Sequence, residues 1–515
     1  MKRLLLTFVA ALGLFATIAS AQGPCGTNLI WNVSGDTLTI TGSGDMYDYG
    51  TTSITRAPWY SFRTSLQSVL LPSGLTRIGN NAFNGHSKLT DVVIPGNVVT
   101  IGDAAFRSCA VLASVEMPDG LAAISDYLFY YCSSLTNAPI PASVTSIGEQ
   151  AFSGCYVLEI PTIPDGLTSI GRDAFRSCRV MTRATIPAGV TSISDSLFYG
   201  CSNLEEVTLP DTVTDIGENA FRECGSLMSM TIPDSVIDLG RWIFDSCFSL
   251  TNVVFGNGVI LIPDGLFGSC SSLETVVIGD NVTTLGNSLF RDCSALTSVT
   301  LGNSVTNILQ YAFYNCASLS NVTLPDCVAA IGINAFQNCT SLSSMTLPDS
   351  VAVIGNYAFQ GCTSLREVIF EGNCPSAGTS IYAGSTYVTN YVYAANCDDW
   401  NASGTVFGGL VGDPNAIWQG QPIFSLPDPP TALPQPIIIA FDKMPNGTFT
   451  LIATNCIDST ALYTLISTDD LGEDFLTTVR TATLGDITGA DGIWTITGII
   501  PGNADEKMFY RVKAE

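Results

Sequence analysis

Phenylalanine recurs in this chain at a constant interval of 23 residues, without any insertion or deletion. The thirteen members of the series are Phe83, Phe106, Phe129, Phe152, Phe175, Phe198, Phe221, Phe244, Phe267, Phe290, Phe313, Phe336 and Phe359. A fixed period between 20 and 50 residues is typical of solenoids, in which each unit buries its apolar side chains only against its neighbours. The sequence therefore predicts a repeat solenoid of thirteen units over residues 63–370.

Each unit begins with a short strand. Between Leu204 and Pro210, apolar Val207 and Leu209 alternate with polar residues, as expected for a half-buried strand that proline then ends. A second apolar pair follows, and the segment from Gly217 to Phe221 predicts one helical or 3₁₀ turn. Parallel stacking at about 4.8 Å per unit would give a rod roughly 60 Å long. We expect a parallel β ladder with short helical turns.

The N-terminus has the pattern of a secretory signal peptide. Lys2 and Arg3 precede an apolar run over 4–18, and Ala19-Ser20-Ala21 forms a small-x-small cleavage site before Gln22. Residues 1–21 are thus predicted to be removed, which places the protein outside the cell or on its outer surface. No later segment reaches about 18 consecutive apolar residues, so no transmembrane segment is expected.

The regions outside the repeats predict four further parts. Residues 22–62 contain two strand-like runs around Ser34-Gly35-Asp36, which predicts a β-hairpin cap, and Tyr60 lies one period before Phe83. Residues 371–418 are rich in glycine and tyrosine and predict an irregular C-terminal cap. A Pro-rich linker is expected over 419–436, followed at 437–515 by a small all-β sandwich domain.

The unit from Ile331 to Pro348 resembles the BspA-like subclass of bacterial leucine-rich repeats, and the resemblance extends from about Leu66 to Phe370. The stretches 25–31 and 57–59 are also similar to the cap that such proteins often have. The resemblance implies a secreted or cell-surface protein, and some relatives act as adhesins for host matrix proteins or other cells. Ordinary leucine-rich repeats place Asn or Cys eight residues after the first strand Leu. Here only Asn97, Asn281 and Cys327 fit, with Gly, Ser or Thr elsewhere.

Charge and motif content exclude several classes of function. With 20 Lys and Arg against 45 Asp and Glu, the net charge is −25, and no basic stripe is present, which argues against nucleic-acid binding. No phosphate-binding loop, nucleophile elbow, zinc-protease motif or EF-hand loop occurs. An enzyme in the C-terminal module is the alternative, but residues 437–515 contain no histidine. We predict a non-catalytic protein without a cofactor or metal.

Cysteine follows the repeat phenylalanine by three residues in twelve units. These residues are Cys109, Cys132, Cys155, Cys178, Cys201, Cys224, Cys247, Cys270, Cys293, Cys316, Cys339 and Cys362. Stacked units would bring neighbouring Cα atoms within about 5 Å, so buried thiols and some disulfide bridging are both compatible with the spacing, while metal binding needs converging ligands. His86, the only histidine, stands where this ladder begins and is expected at its exposed end as a polar terminator; a nucleophile–base pair with Cys109 is the alternative.

An acidic residue recurs just after the strand. The series comprises Asp119, Asp165, Asp211, Asp234, Asp280, Asp326 and Asp349. One interpretation is an Asx-type turn residue that bonds the backbone, and the other is a row of carboxylates that binds Ca²⁺.

The outward residues of the first strand form the broad face with which solenoids usually bind. The predicted binding face consists of Thr162, Thr185, Thr208, Thr231, Thr300, Thr323, Thr346 and Ser344. Because aromatic anchors are missing there, we expect weak, extended contact with an extracellular protein or polysaccharide. Two alternatives remain: threonine reflects strand propensity alone, or the chain associates weakly with itself in an extracellular structural layer.

Cys374 and Cys397 lie on either side of the C-terminal cap and have no place in the repeat. Because disulfides are stable in exported proteins, a bridge between these two residues is predicted.

Overall fold

The computed structural model describes residues 21–159, 163–393, 396, 399–400, 403, 406–407 and 416–426, together with six strands between 453 and 514. All of the predicted signal peptide except Ala21, and most of the Pro-rich linker, lie outside these residues. The chain divides into two compact units, one of residues 1–392 with 396–425 and one of 393–395 with 426–515. Within the described residues, no helix has the length and hydrophobicity that a membrane span requires.

The first unit is a β-solenoid in which two parallel ladders run side by side. The first ladder contains the strands Ser68–Leu70, Asp91–Val92, Arg183–Thr185, Glu206–Thr208, Ser229–Thr231, Asn252–Val254, Thr275–Val277, Ser298–Thr300, Asn321–Thr323, Ser344–Leu347, Glu367–Phe370 and Thr389–Tyr393. The second ladder contains Gly74–Ile78, Thr100–Ile101, Ala123–Ile124, Ser146–Ile147, Ser169–Ile170, Ser192–Ile193, Asp215–Ile216, Asp238–Leu239, Leu261–Ile262, Thr284–Leu285, Asn307–Ile308, Ala330–Ile331, Val353–Ile354 and Ser376–Ala377. Through most of the array, paired residues are one period apart, as Ala184 and Val207 are in the first ladder and Ile193 and Ile216 in the second.

The segment around each phenylalanine is a pair of turns, so the prediction of a helical turn there is wrong. The residues two before and two after Phe have positive φ, for example Ser196 (54°) and Gly200 (71°) around Phe198. This alternation directs every second N–H along the solenoid axis. Ser196, Phe198 and Gly200 donate to main-chain carbonyls of the next unit at 2.8–2.9 Å. The turns thus form a third backbone ladder, here called the turn ladder, which a helix could not make because its N–H groups bond within the helix.

The repeat side chains stack in continuous columns inside the solenoid. Ring centroids of successive phenylalanines lie 5.0–5.9 Å apart, and all thirteen rings are buried. Tyr382 continues the column beyond Phe359 at 5.9 Å, so the solenoid has about fourteen turns and extends into the segment predicted as an irregular cap. At the other end Trp59, rather than Tyr60, stacks on Phe83 at 6.0 Å and donates from Nε1 to the Ala82 carbonyl.

Both ends of the first unit are covered. At the N-terminus, Gln22–Pro24, Gly26–Ser34 and Thr37–Met46 form an antiparallel sheet, and a 3₁₀ helix spans Tyr60–Phe62. The strand Thr37–Met46 pairs in parallel with the first strand of each ladder, so neither ladder begins with an open edge. At the other end, the strands Val406–Phe407, Ile417–Trp418 and Gln421–Leu426 extend the first ladder, and the buried rings of Trp400 and Trp418 contact Phe370.

The second unit contains two three-stranded antiparallel sheets. One is formed by Ala453–Thr454, Ile493–Ile496 and Ile487–Thr488, and the other by Thr478–Ala482, Tyr463–Ser467 and Tyr510–Ala514. The face-to-face packing that defines a sandwich lies outside the described residues, so the β-sandwich stays a prediction.

Candidate functional site

The predicted binding face is the outer side of the first ladder, called the strand face below. Its described threonines Thr185, Thr208, Thr231, Thr300, Thr323 and Thr346 are exposed and lie in one row, and exposed Ser344 lies in the adjacent row. Parallel register sets this arrangement, since Thr185 pairs with Thr208 and Thr300 with Thr323. Thr162 lies outside the described residues. The one ion pair across these strands joins Arg183 and Glu206 at 3.6 Å, so the described strand face is mostly uncharged.

The threonine row has two kinds of interruption. Val254 and Val277 occupy threonine positions and are 50% and 62% exposed, which divides the described row into two groups of three threonines. Farther toward the N-terminus, Pro139 occupies the equivalent position, and the ladder between 93 and 182 is reduced to isolated bridges among the described residues. Proline lacks the N–H that a ladder requires, which explains the weak pairing around Pro139.

The cysteine ladder is a column of buried thiols with a defined hydrogen-bonding role. Each of the twelve Sγ atoms donates to the carbonyl of the phenylalanine in the preceding unit at 3.0–3.4 Å, as Cys224 does to Phe198. None of the twelve is bridged. Burial raises the pKa of the Cys132 and Cys201 thiols to about 12, so these groups are poor nucleophiles. The ladder supports stacking and offers no reactive site.

The two ends of this ladder differ. Ser385 takes the cysteine position beside Tyr382 and donates to the Phe359 carbonyl at 2.8 Å. His86 occupies the first position and is fully buried beneath the cap, so the expectation of an exposed terminator is wrong. Neither ring nitrogen makes a hydrogen bond, and burial lowers the pKa of His86, although nearby main-chain carbonyls of Phe83 and Trp59 oppose this effect. Cys109 bonds the Phe83 carbonyl instead of His86, which leaves no nucleophile–base pair.

Two members of the acidic series link successive units. Asp234 Oδ1 accepts from the main-chain N–H of Asn257 at 2.8 Å, and Asp280 does the same with Asn303 at 2.9 Å. These bonds differ from an Asx turn because donor and acceptor are 23 residues apart. Among the described residues, no three His, Cys, Asp or Glu side chains converge as metal ligands would. Cys397 lies outside those residues, so its bridge to Cys374 stays a prediction.

A second surface, which the sequence analysis missed, lies on the outer side of the turn ladder. This Tyr–Arg surface consists of Arg107, Tyr127, Tyr130, Tyr131, Tyr156, Arg176 and Arg179. The Arg107 guanidinium lies 4.8 Å from the centroid of Tyr130, and that of Arg179 lies 4.7 Å from Tyr156. Tyr131 is 44% exposed and packs edge-on against Tyr130 at 4.5 Å. Tyrosine and arginine are the residues that most often dominate binding energy in protein interfaces.

The Tyr–Arg surface contains a cleft of about 240 Å³. It is lined by Tyr130, Tyr131, Gln150, Ser153, Gly154, Tyr156, Arg176 and Ser177. Ser153 occupies the position that Tyr130 has one unit earlier and Arg176 one unit later, so a small residue between two large ones leaves the gap. Gly154 forms part of the floor, where a Cβ atom would lie 3.2 Å from the Tyr131 ring.

The sequence did contain a signal for this surface. The position directly after the repeat phenylalanine is Arg107, Tyr130, Ser153, Arg176 and Tyr199 in five consecutive units. Period-two alternation predicts only the strand face, and the structure shows that residues of neighbouring turns lie side by side on a second common surface.

Comparison with known proteins gives a family-level match. Residues 52–182, 168–297 and 292–403 match the family model of the BspA type leucine rich repeat region, present in six copies. A leucine-rich repeat protein from Bacteroides ovatus shares 27% identity with a TM-score of 0.52, over 71% of this chain and 94% of that one. A leucine rich cell surface protein from Faecalibacterium prausnitzii shares 28% identity over 68% and 94% of the two chains, with a TM-score of 0.40. No curated protein matches the sequence.

Proposed function

Because this chain belongs to the BspA-type leucine-rich repeat family, whose repeats are generally non-catalytic binding scaffolds, we propose that it is a secreted or cell-surface adhesion protein. It binds an extracellular protein or polysaccharide through the strand face and performs no catalysis. The cell-surface description of the Faecalibacterium relative and the signal-peptide pattern of residues 1–21 support the location.

The observation that carries this proposal is the register of the strand face. Hydroxyl side chains recur in adjacent strands at the strand spacing of about 4.8 Å, on an exposed surface with few charges. A periodic ligand such as an extended polypeptide or a polysaccharide meets the same chemistry at each step. Individual contacts are weak, but many contacts made together by one ligand increase the affinity strongly.

Replacing threonine by valine tests the role of the hydroxyl groups. The triple variant Thr208→Val, Thr231→Val and Thr323→Val keeps the branched side chain that strands favour, and Val254 and Val277 show that valine is accepted in this row. Binding of the full chain to immobilised matrix proteins and polysaccharides is measured by biolayer interferometry. We expect a loss of at least about ten-fold in apparent affinity. The control is Thr284→Val, at an exposed position of the second ladder.

Unchanged binding by the triple variant would contradict the assignment to the strand face. Sedimentation of the isolated protein separates adhesion from the structural-layer alternative: a monomer supports adhesion, whereas self-assembly without a ligand contradicts it.

A further inference from the structure

We propose that the Tyr–Arg surface binds an acidic polysaccharide. One sugar ring of the polysaccharide lies in the cleft, and carboxylates of the polysaccharide bind Arg107 and Arg179. This site is separate from the strand face and takes a ligand of defined chemistry. Three features of this surface support the proposal: two cations without anionic partners among the described residues, aromatic rings beside them, and a gap of the right width.

The two cations are available to a ligand. Arg176 pairs with Asp173 at 3.2 Å, and Arg222 pairs with Asp245 at 3.1 Å. In contrast, Arg107 and Arg179 have no ion pair or side-chain hydrogen bond to any described residue, and their guanidinium groups rest on tyrosine rings. A guanidinium held flat against a ring keeps its N–H edge free, and this edge matches a carboxylate in a bidentate arrangement.

These cations stand out in an acidic protein. The chain has a net charge of −25, yet Arg107, Arg172, Arg176 and Arg179 fall within four consecutive units. Asp173 is buried and pairs with both Arg172 and Arg176, so part of the negative charge here is already neutralised. Because solvent screens charges beyond about 10 Å, a ligand held here responds to the charges at this surface, which include the Glu149 carboxylate bonded to Tyr127 as well as the arginines, more than to the net charge of the whole chain.

The tyrosine rings supply the surface on which a sugar packs. Tyr131 is partly exposed, Tyr156 packs edge to face against it with ring centroids 6.1 Å apart, and both rings line the cleft. The face of an aromatic ring is negative, and the C–H groups of a pyranose present a weakly positive apolar face to it. The rest of the cleft lining is polar and offers hydrogen-bond partners to sugar hydroxyl groups: Gln150, Ser153, Arg176 and Ser177.

The gap has the width of a sugar ring. Tyr130 and Arg176 occupy equivalent positions two units apart, which corresponds to roughly 10 Å along the axis. A ring sandwiched between two planar groups at van der Waals contact needs roughly 7–8 Å, and a puckered pyranose needs slightly more. Arg107 and Arg179 lie three units apart, roughly 14 Å, which a short oligosaccharide can span and a monosaccharide cannot.

The test is calorimetric titration of the full-length protein with oligogalacturonate of about six sugars. The matched neutral probe is the same oligosaccharide with its carboxyl groups reduced to alcohols. We expect the acidic probe to bind about ten-fold more tightly or better than the neutral one, with an affinity that falls as salt is raised.

Three variants assign the binding to the cleft. Tyr131→Ala is expected to weaken both probes by about ten-fold through loss of the stacking surface. Arg107→Gln with Arg179→Gln is expected to abolish the preference for the acidic probe. Ser153→Tyr fills the gap with a residue that the same position holds at Tyr130 and Tyr199, so the fold tolerates it while binding is lost.

The matched control is Arg63→Gln. Arg63 also rests on a tyrosine ring, 4.6 Å from the centroid of Tyr60, but lies about three units before Tyr130, the near wall of the cleft. The Arg63→Gln variant removes one positive charge from an Arg–Tyr pair and should leave binding unchanged. Equal weakening by Arg63→Gln, equal affinity for both probes, or no binding of either would overturn the proposal. The strand-face triple variant should bind the acidic probe normally, so the proposals for the two sites are tested independently.

Discussion

The cysteine beside each phenylalanine shows how one residue type can serve stacking and hydrogen bonding together. Its side chain is small enough for the narrow space between turns, and its thiol donates a second hydrogen bond to a buried phenylalanine carbonyl that already accepts from a main-chain N–H. Ser385 makes the same bond with a hydroxyl group where the column reaches Tyr382. The donor, rather than sulfur chemistry, is therefore the property that this position requires.

Replacing Cys224 tests this interpretation. Cys224→Ala removes the donor to the Phe198 carbonyl and leaves a small cavity, so we expect a loss of about 1–3 kcal/mol in the free energy of unfolding. Cys224→Ser keeps a donor, as Ser385 does naturally, and should lose less. Urea unfolding followed by circular dichroism measures both. Equal destabilisation by alanine and serine would show that the thiol contributes only its volume.

His86 makes the stability of the N-terminal end dependent on pH. Burial holds the pKa of the folded state below the ordinary value of 6.5, so the neutral ring contributes stability that is complete above about pH 6.5. This contribution is lost as the pH falls below that value toward the folded-state pKa, because the unfolded chain binds the proton more readily.

We expect the melting temperature of the native protein to fall more between pH 7.5 and 5.5 than that of His86→Cys. The variant restores the ladder residue and retains all 45 acidic groups, so the difference between the two proteins isolates the histidine. Identical pH profiles would mean that His86 titrates normally in the fold.

At the scale of elements, the turn ladder explains why the unit tolerates so many residue types around phenylalanine. Most of its positive-φ positions hold Asn, Asp, Ser or Gly, although tyrosine occurs at Tyr127, Tyr131, Tyr311 and Tyr357. Polar residues with short side chains enter this conformation most readily, and glycine does so without steric cost. Unbranched side chains are accepted because three hydrogen bonds per unit fix the backbone.

A branched residue at such a position should therefore be costly. Ser269, with φ of 59°, offers a matched pair of substitutions. We expect Ser269→Val to lower the free energy of unfolding by about 1–2 kcal/mol because its branched Cβ clashes in the left-handed region, while Ser269→Gly stays near the native value. Thermal unfolding of both variants measures this. A valine variant as stable as the glycine variant would contradict the strain argument.

For the whole solenoid, each unit contacts only its neighbours, and the register between units is constant at 23 residues through most of the array. The phenylalanine column continues from Trp59 to Tyr382, and both of its ends are closed by large aromatic residues. The length of the array is thus independent of the structure of any one unit.

This independence predicts that one whole unit can be removed. Deleting residues 279–301 joins Ile278 to Gly302, which occupies the place of Gly279 one period later. We expect a folded protein whose melting temperature is a few degrees lower at most. Deleting 279–300, one residue fewer, shifts the following strand to the wrong face and should be far less stable. Circular dichroism and thermal unfolding compare the two deletions, and similar stability would mean that register does not limit the fold.

The sequence alone determined the solenoid, its period and the inward residues, because a strict repeat forces equivalent positions such as Phe198 and Phe221 into one column. It also located the threonines of the strand face through period-two alternation. It did not reveal the turn ladder, because the Asn, Asp, Ser and Gly at its positive-φ positions are common in any loop and residues such as Trp242 and Tyr311 interrupt the pattern. Tyr382 is not part of the phenylalanine series, although packing in the column accepts any aromatic ring of suitable size.

Only the tertiary structure decided which side chains stand beside one another across turns. Each of Tyr130, Ser153 and Arg176 is 23 residues from the next in sequence, yet together they line one cleft. His86 was placed at the end of the ladder by its position, but the burial that lowers its pKa depends on how the cap covers that end. A repeat fixes the place of each residue along the axis, whereas sizes and charges of neighbouring side chains determine the surface that results.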